Sequence, residues 1–213
     1  IFLLYNAGAT QNLAVSEITG IFFHGIKMDL SMTGYLMVIP GLFLSVSFVF
    51  KPRYLLSVFN IYTYIILSII TFLSVLDLGL YPHWGTRVGI SAFNYINDPE
   101  EMIANVTWWQ ILIAVIFFSL NTGTFIWLYN RFLKKVIFEA AGQKWFLMPV
   151  MLFLTAFLFL PIRGGLGTAP INFSTVSFSP KLYVNQASYN YLWHFLKTID
   201  NKRHYKNPCE YFE

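Results

Sequence analysis

The residues able to do chemistry in this chain are few and scattered. Its four histidines, His24, His83, His194 and His204, stand at no spacing that suits a shared metal ion, and its one cysteine, Cys209, has no partner for an intrachain disulfide. No Gly-Lys-Ser/Thr phosphate loop and no Gly-x-Ser-x-Gly nucleophile turn occurs. The sequence thus nominates no catalytic residue, no metal ligand and no cofactor within this chain. It does nominate polar side chains at the ends of apolar runs: His24, Lys27 and Asp29 before one run, Asp77, Trp84 and Arg87 after another, and Arg163 after the last. Three roles are open to this set. Its members can cap helices, snorkel or sit as solvated loop charge. They can hold the headgroup of an anionic lipid, because guanidinium and ammonium groups pair well with phosphate. Or Asp77 and Arg87 can form a buried, purely structural ion pair.

The elements that must position these groups follow from composition. Of 213 residues, 56% are hydrophobic and 11% charged, where a soluble domain carries about 25% charge. So few charges cannot cover a water-soluble fold of this size. The 22 Phe, 13 Tyr and 6 Trp suit a lipid-facing surface with aromatic anchors at its interfaces. The net charge of +4 is not the footprint of a nucleic-acid binder, because the basic residues flank apolar runs and form no basic stripe.

Four runs, Gly34–Phe50, Leu55–Leu76, Ile111–Leu128 and Trp145–Ile162, contain no Asp, Glu, Lys, Arg or His over 17, 22, 18 and 18 residues. Crossing the hydrocarbon core takes roughly 17–25 apolar residues in a helix. Barrel strands would alternate over about 10 residues instead of staying apolar throughout. The expected fold is therefore all-α, a polytopic transmembrane helix bundle over residues 1–162. Asn60 and Asn121 lie inside two of the runs and are expected to face neighbouring helices. Loop charge sets the orientation. Lys51, Arg53, Arg131, Lys134, Lys135 and Lys144 lie on one side; the opposite loop, Asp77 to Thr107, has Arg87 alone among Lys and Arg. The first side is expected to be cytoplasmic, and the tail from Arg163 to Glu213 external.

The shorter segments carry expectations too. Residues 1–6 read as the end of a helix that begins upstream. Ser16 to Asp29 reads as a separate interfacial helix, with Asp29 or Ser31 capping the span that follows. Asp98-Pro99-Glu100-Glu101 has the cap, proline and acidic first turn of a helix start. The Gly-rich stretch after Pro161 predicts a helix break and a flexible linker, and an amphipathic stretch is expected around Tyr189–Ile199.

Three segments together resemble one family. Phe23-His-Gly-Ile-Lys-Met-Asp-Leu-Ser31, followed by Tyr35, resembles the aromatic–x–Gly–basic–x–Asp–Leu–Ser pattern that opens a transmembrane helix in the lipoteichoic acid synthase/phosphoglycerol transferase family. Asp77-Leu-Gly-Leu-Tyr81, Trp84-Gly-Thr-Arg87 and Tyr95-Ile-Asn-Asp-Pro-Glu-Glu101 are similar to the family's loop after its third helix. Arg163-Gly-Gly-Leu-Gly-Thr-Ala-Pro-Ile-Asn172, with Phe178-Ser179, Asn185-Gln-Ala187, Asn190 and Trp193, resembles its connector to the catalytic domain. The chain departs from the family pattern at Gly89, where an acidic residue is frequent, and at Gln186, where His is frequent.

The resemblance implies a bundle of about five helices with the first truncated. It also implies that residues 163–213 are a linker to a sulfatase-like domain of alkaline phosphatase type beyond this chain. There a threonine nucleophile and a divalent metal, frequently manganese, would move a phosphoglycerol-type group from lipid at the outer face of a bacterial cytoplasmic membrane. The implied partners are membrane lipids, including an anionic phospholipid substrate. Two other functions fit the layout: a non-catalytic membrane subunit that docks a partner or lines a transport path, and a phosphoethanolamine transferase. Transport is disfavoured by spans without ionisable residues, and the connector motif favours the first family over the second.

Overall fold

The computed structural model describes residues 1–48, 52–97, 107–140, 145–167 and 169–204, and these residues are helical or loop throughout. Two single turns, α1 (Phe2–Tyr5) and α2 (Ala7–Thr10), lead into the long helices α3 (Val15–Val46) and α4 (Pro52–Trp84). After a 3-10 stretch, Ile90–Asn97, come α5 (Trp108–Leu128), a π-helical segment Tyr129–Leu133, and α6 (Lys134–Ala140). The last apolar stretch holds α7 (Met148–Phe157) and α8 (Phe159–Arg163), and the tail holds α9 (Leu182–Ser188) and α10 (Tyr191–His204). Among the described residues four helical stretches are long and apolar enough to cross a membrane: Val15–Val46, Ser57–Trp84, Trp108–Glu139 and Trp145–Arg163.

The first of these corrects an expectation. Ser16 to Asp29 is not a separate interfacial helix; it is continuous with the span after it, in one helix of 32 residues. Neither Asp29 nor Ser31 caps a helix start. The helix begins after Ala14, whose N–H donates to the Glu17 carboxylate at 2.9 Å, and no Gly-Pro break interrupts the polar stretch. At 1.5 Å per residue α3 runs about 48 Å, well beyond a hydrocarbon core of about 30 Å, so one end must project past it. The helix start expected at Asp98 lies outside the described residues.

Neighbouring long helices are antiparallel. Phe43 meets Phe59 with ring centroids 6.3 Å apart, while nearer the start of α3 the carbonyl of Leu36 meets Tyr62. Between α4 and α5, Phe72 meets Phe118, Thr71 meets Thr122, and Tyr129 donates to Asn60 Oδ1 at 2.9 Å. Asn60 thus faces a neighbouring helix as expected. Asn121 donates to Phe117 O in its own helix and is half-buried. Along α3, Gly34 and Gly41 let α7 and α8 approach so closely that a Cβ would stand 2.8 Å from Ile162 and 2.5 Å from Thr155. Small residues at such crossings suit helix packing in lipid. This alternation puts the start of α3, the end of α4, the start of α5 and the end of α8 at one end of the molecule. α9 and α10 pack there as a cap.

The larger of two buried clusters sits under that cap, and the smaller, Leu55 and Phe59 against Phe43, Leu44 and Ile137, lies toward the other end. Met28, Met32, Leu73, Val176, Leu192 and Trp193 form one buried cluster, with Phe93, Phe173 and Tyr189 against it. By contrast α5 buries no residue, and Ile113, Leu120, Trp127 and Phe132 are more than half exposed. An apolar surface of that extent is stable against hydrocarbon, not water.

Proline 40 lies inside α3. It has no N–H, so the Leu36 carbonyl one turn earlier loses its helical partner. Tyr62 of α4 supplies the replacement, its hydroxyl donating to Leu36 O at 2.7 Å. An orphaned carbonyl in an apolar setting costs about 1–3 kcal/mol. Tyr62→Phe should therefore destabilise the protein by about that amount in detergent unfolding. The cost should largely vanish in a Pro40→Ala background, where the new N–H takes the carbonyl.

Candidate functional site

The polar groups converge where α4 ends. The helix stops after Trp84, and Gly85, at φ +65°, turns the chain into a left-handed conformation that side chains resist. The loop then runs back along α4, so that Arg87 reaches Asp77, with Arg87 Nη1 2.9 Å from Asp77 Oδ2 and both side chains 6% exposed or less. The other carboxylate oxygen, Oδ1, accepts the backbone N–H of Val88 at 2.9 Å. One carboxylate thus holds both the charge and the backbone of the loop.

The loop is also bound to the cap. Arg87 Nη2 donates to Tyr189 O at 2.9 Å, and the Arg87 backbone N–H donates to Gln186 Oε1 at 3.2 Å. His194 Nδ1 lies 2.9 Å from Val88 O, and Ile90 N–H donates to Thr198 Oγ1 at 2.9 Å. The Phe2 ring covers one face of the guanidinium, 4.0 Å from Cζ. The in-plane donors are less well served. Nη1 is close to Asp77 but makes no aligned hydrogen bond, and Nε has no partner among the described residues.

Local sequence explains how the cap is held. Asn190 caps α10 by accepting the Trp193 N–H on Oδ1 at 2.9 Å, while its Nδ2 donates to Asp29 Oδ1 on α3 at 2.7 Å. Asn185 closes the turn before α9: its Oδ1 accepts the N–H groups of Phe178 and Ser179. Gly25 of α3 admits the cap, since a Cβ there would stand 2.9 Å from the Ser188 carbonyl oxygen. The Gly-rich stretch opens on a hydrogen-bonded turn. Gly164, at φ +88°, ends α8 with Gly165 N–H on Leu160 O and its own N–H on Pro161 O, a Schellman arrangement. Ser31 donates to Ile162 O at 2.9 Å, and Ile171 N–H donates to Arg163 O at 2.9 Å.

Between α1, α3, α4 and the turn from α9 to α10 lies a cavity of about 470 Å³, within the ordinary size range of small-molecule sites. Its polar lining includes Asp29, Ser74, Asp77, Arg87 and Asn190, and its apolar lining includes Leu4, Ile21 and Phe22.

Of the seven polar residues nominated by the sequence, three meet here: Asp29, Asp77 and Arg87. The other four do not line the cavity. His24 stacks on Phe178, with ring centroids 4.5 Å apart and planes 8° from parallel. Lys27 is exposed on α3, while Trp84 and Arg163 are half-buried at the ends of α4 and α8. The buried Asp77–Arg87 pair is formed. Sequence reasoning gave no site role to Ser74, Tyr189 or Phe2. Gln186 and Asn190 entered it only through the connector motif.

Burial shapes the titration of the cap. It pushes the Tyr191 hydroxyl up to about 12 and lowers the Arg87 value, against the pull of Asp77. It also lowers the His194 value, with Arg87 adding and the Val88 carbonyl and Asp77 opposing. Among the described residues no three of His, Cys, Asp and Glu come together as metal ligands would.

Fold and site define a helical protein with bilayer-length apolar helices, and a buried ion pair beside a mixed polar and apolar cavity at one end. Compared with family models, with curated proteins and with solved structures, the chain matches none.

Two outcomes follow from the pair and from His194. Removing one partner of a buried ion pair costs about 3–5 kcal/mol, because the other charge is stranded. Asp77→Asn and Arg87→Gln should each lower stability on that scale, and an apolar replacement of both should cost less than the sum, as read by a double-mutant cycle. For His194 the folded value lies below the unfolded one, so the unfolded chain binds more protons in acid. Stability should be level above pH about 6.5 and fall as pH drops below it. Melting curves of His194→Gln should lose that component.

Proposed function

We propose that this chain is the membrane anchor region of a sulfatase-like phosphoglycerol transferase acting on lipid at the outer face of a bacterial cytoplasmic membrane. One observation carries the proposal. The three separated segments that resemble the lipoteichoic acid synthase family, one in α3, one after α4 and one in the tail, meet around a single site. Asp29 bonds Asn190, Arg87 bonds Gln186 and Tyr189, and Ser31 bonds the carbonyl of Ile162 beside the connector. Segments far apart in sequence but bound to one another are what a shared architecture requires.

In this function the bundle has about five helices, and the tail leads to an extracytoplasmic catalytic domain beyond residue 213. That domain carries the chemistry: an activated hydroxyl attacks a lipid phosphodiester, a covalent phospho-enzyme forms, and an acceptor alcohol or water resolves it. A divalent metal, manganese by resemblance, would serve that domain. The present chain contributes position. Anchoring the domain beside a membrane-confined substrate raises their effective concentration. The cap, bound to α3 and α4 by the contacts around Arg87, sets where the tail leaves the bundle.

The test is the coding sequence past Glu213 together with an activity assay. The reading frame is expected to continue into a domain with a threonine nucleophile and acidic and histidine metal ligands. The full-length protein should cleave phosphatidylglycerol in a metal-dependent way, and purified residues 1–213 should not. A frame without such a domain, or turnover by residues 1–213 free of contaminating enzyme, would overturn the proposal.

A further inference from the structure

Helix α5 starts at a membrane interface, and its length fixes where it reaches the other one. Trp108 and Trp109 stack with ring centroids 3.8 Å apart and are more than half exposed, as interfacial aromatic residues are. The 21 residues from Trp108 to Leu128 rise about 32 Å, against a hydrocarbon core of about 30 Å. The π-helical segment Tyr129–Leu133 therefore falls at the opposite boundary, at the end of the molecule away from the cap.

A groove of about 340 Å³ opens there between α4 and the end of α5. In the π turn each N–H bonds five residues back instead of four, and the segment divides its side chains between two jobs. Tyr129 is buried and donates to Asn60 Oδ1 on α4, which holds the two helices together. Phe132 and Leu133 stay more than half exposed and line the groove with Leu67, Phe125 and Leu128. The groove is thus an apolar furrow that faces the bilayer, and a flexible hydrocarbon chain can fill it.

Cations stand at its outer end. The Arg131 guanidinium lies over Phe132, with Cζ 5.6 Å from the ring centroid, so a lining residue of the groove holds the charge at its rim. Lys134, half-buried, directly follows the last lining residue, Leu133. Among the described residues neither Arg131 nor Lys134 is in an ion pair, and the nearby Glu139 pairs with Lys135. Apolar walls at hydrocarbon depth with uncompensated cations just past the boundary match one molecule, an amphiphile with an acyl chain and an anionic phosphate head. Guanidinium and ammonium groups both pair well with phosphate, and a surplus of positive charge favours a head with a net negative charge over a zwitterionic one.

We infer that the groove between α4 and the π-helical segment binds an anionic glycerophospholipid, with an acyl chain against Leu67, Phe125 and Phe132 and the phosphate at Arg131 and Lys134. The site is separate from the one under the cap and holds independently of the transferase function proposed above. The lipid here is a bound component, not a substrate.

The test places the purified chain in bilayer discs of equimolar phosphatidylglycerol and phosphatidylcholine. Part of the phosphatidylglycerol carries a photoreactive group in its acyl chain. Cross-links should concentrate on Leu67 and residues 125–133. Native mass spectrometry of the released protein should show phosphatidylglycerol retained over phosphatidylcholine on the order of tenfold, as for one charge-assisted contact. Arg131→Gln should remove most of that preference without moving the melting curve, because the side chain is exposed. Lys135→Gln removes the same charge outside the groove and should leave the preference intact. Leu133→Trp, which fills the furrow from an exposed position, should clear the cross-links from it. Labelling no denser in the groove than on the outward-facing Ile113 and Leu120, equal retention of the two lipids, or equal losses in Arg131→Gln and Lys135→Gln would each overturn the inference. The first two outcomes are read on the wild-type chain and do not depend on any variant folding.

Discussion

The carboxylate of Asp77 is the constraint on which the rest of this structure depends. It lies on the last turns of α4, is almost fully buried, and binds Arg87 on one oxygen and the Val88 N–H on the other. Neither charge is stable alone in that setting, so the loop after α4 must fold back wherever Asp77 is ionised. Once folded back, the loop presents Arg87 to Tyr189 and Val88 to His194, and those contacts fix the two tail helices. The chain thereby ties Asp77 to Tyr189, about 110 positions apart, through the single guanidinium of Arg87.

This places structural specificity at one end of the molecule. The buried cluster of Met28, Met32, Leu73, Val176, Leu192 and Trp193 lies under the cap, whereas α5 contributes nothing to any core. A helix row in lipid gains little from burying one apolar side chain against another, because the surrounding chains are equally apolar. Hydrogen bonds such as Tyr129 to Asn60, close contacts at Gly34 and Gly41 and a small buried cluster around Leu55 and Phe59 hold the row together. The cap, by contrast, has side chains to withdraw from water and so packs like a soluble domain.

Much of this was legible in the sequence, for reasons that can be named. Uninterrupted apolar runs announce long helices because hydrocarbon tolerates little else, and the four long helices overlap all four runs. Their boundaries were less legible. The charged residues His24, Lys27 and Asp29 look like a helix start, yet α3 passes straight through them, since no breaker intervenes and each turn satisfies its own backbone. At the site, Asp77 and Arg87 could be paired from the sequence, as an acid and a base ten residues apart around a glycine turn. Their partners could not. Tyr189 acts through its backbone carbonyl, which carries no residue signature, and Phe2 and Ser74 have apolar or common side chains whose role arises only from the approach of distant elements.

The hydrogen bond between Tyr62 and the Leu36 carbonyl has one more consequence. Helices packed through apolar side chains in lipid can slide along one another, because neighbouring settings differ little in contact energy. A proline fixes one carbonyl as needy, and a tyrosine on the next helix can reach it from a single longitudinal setting. Displacement by one helical turn, about 5.4 Å, would strand both hydroxyl and carbonyl in a dry environment. Pro40 and Tyr62 together therefore act as a registration pin that favours one longitudinal setting of α3 against α4.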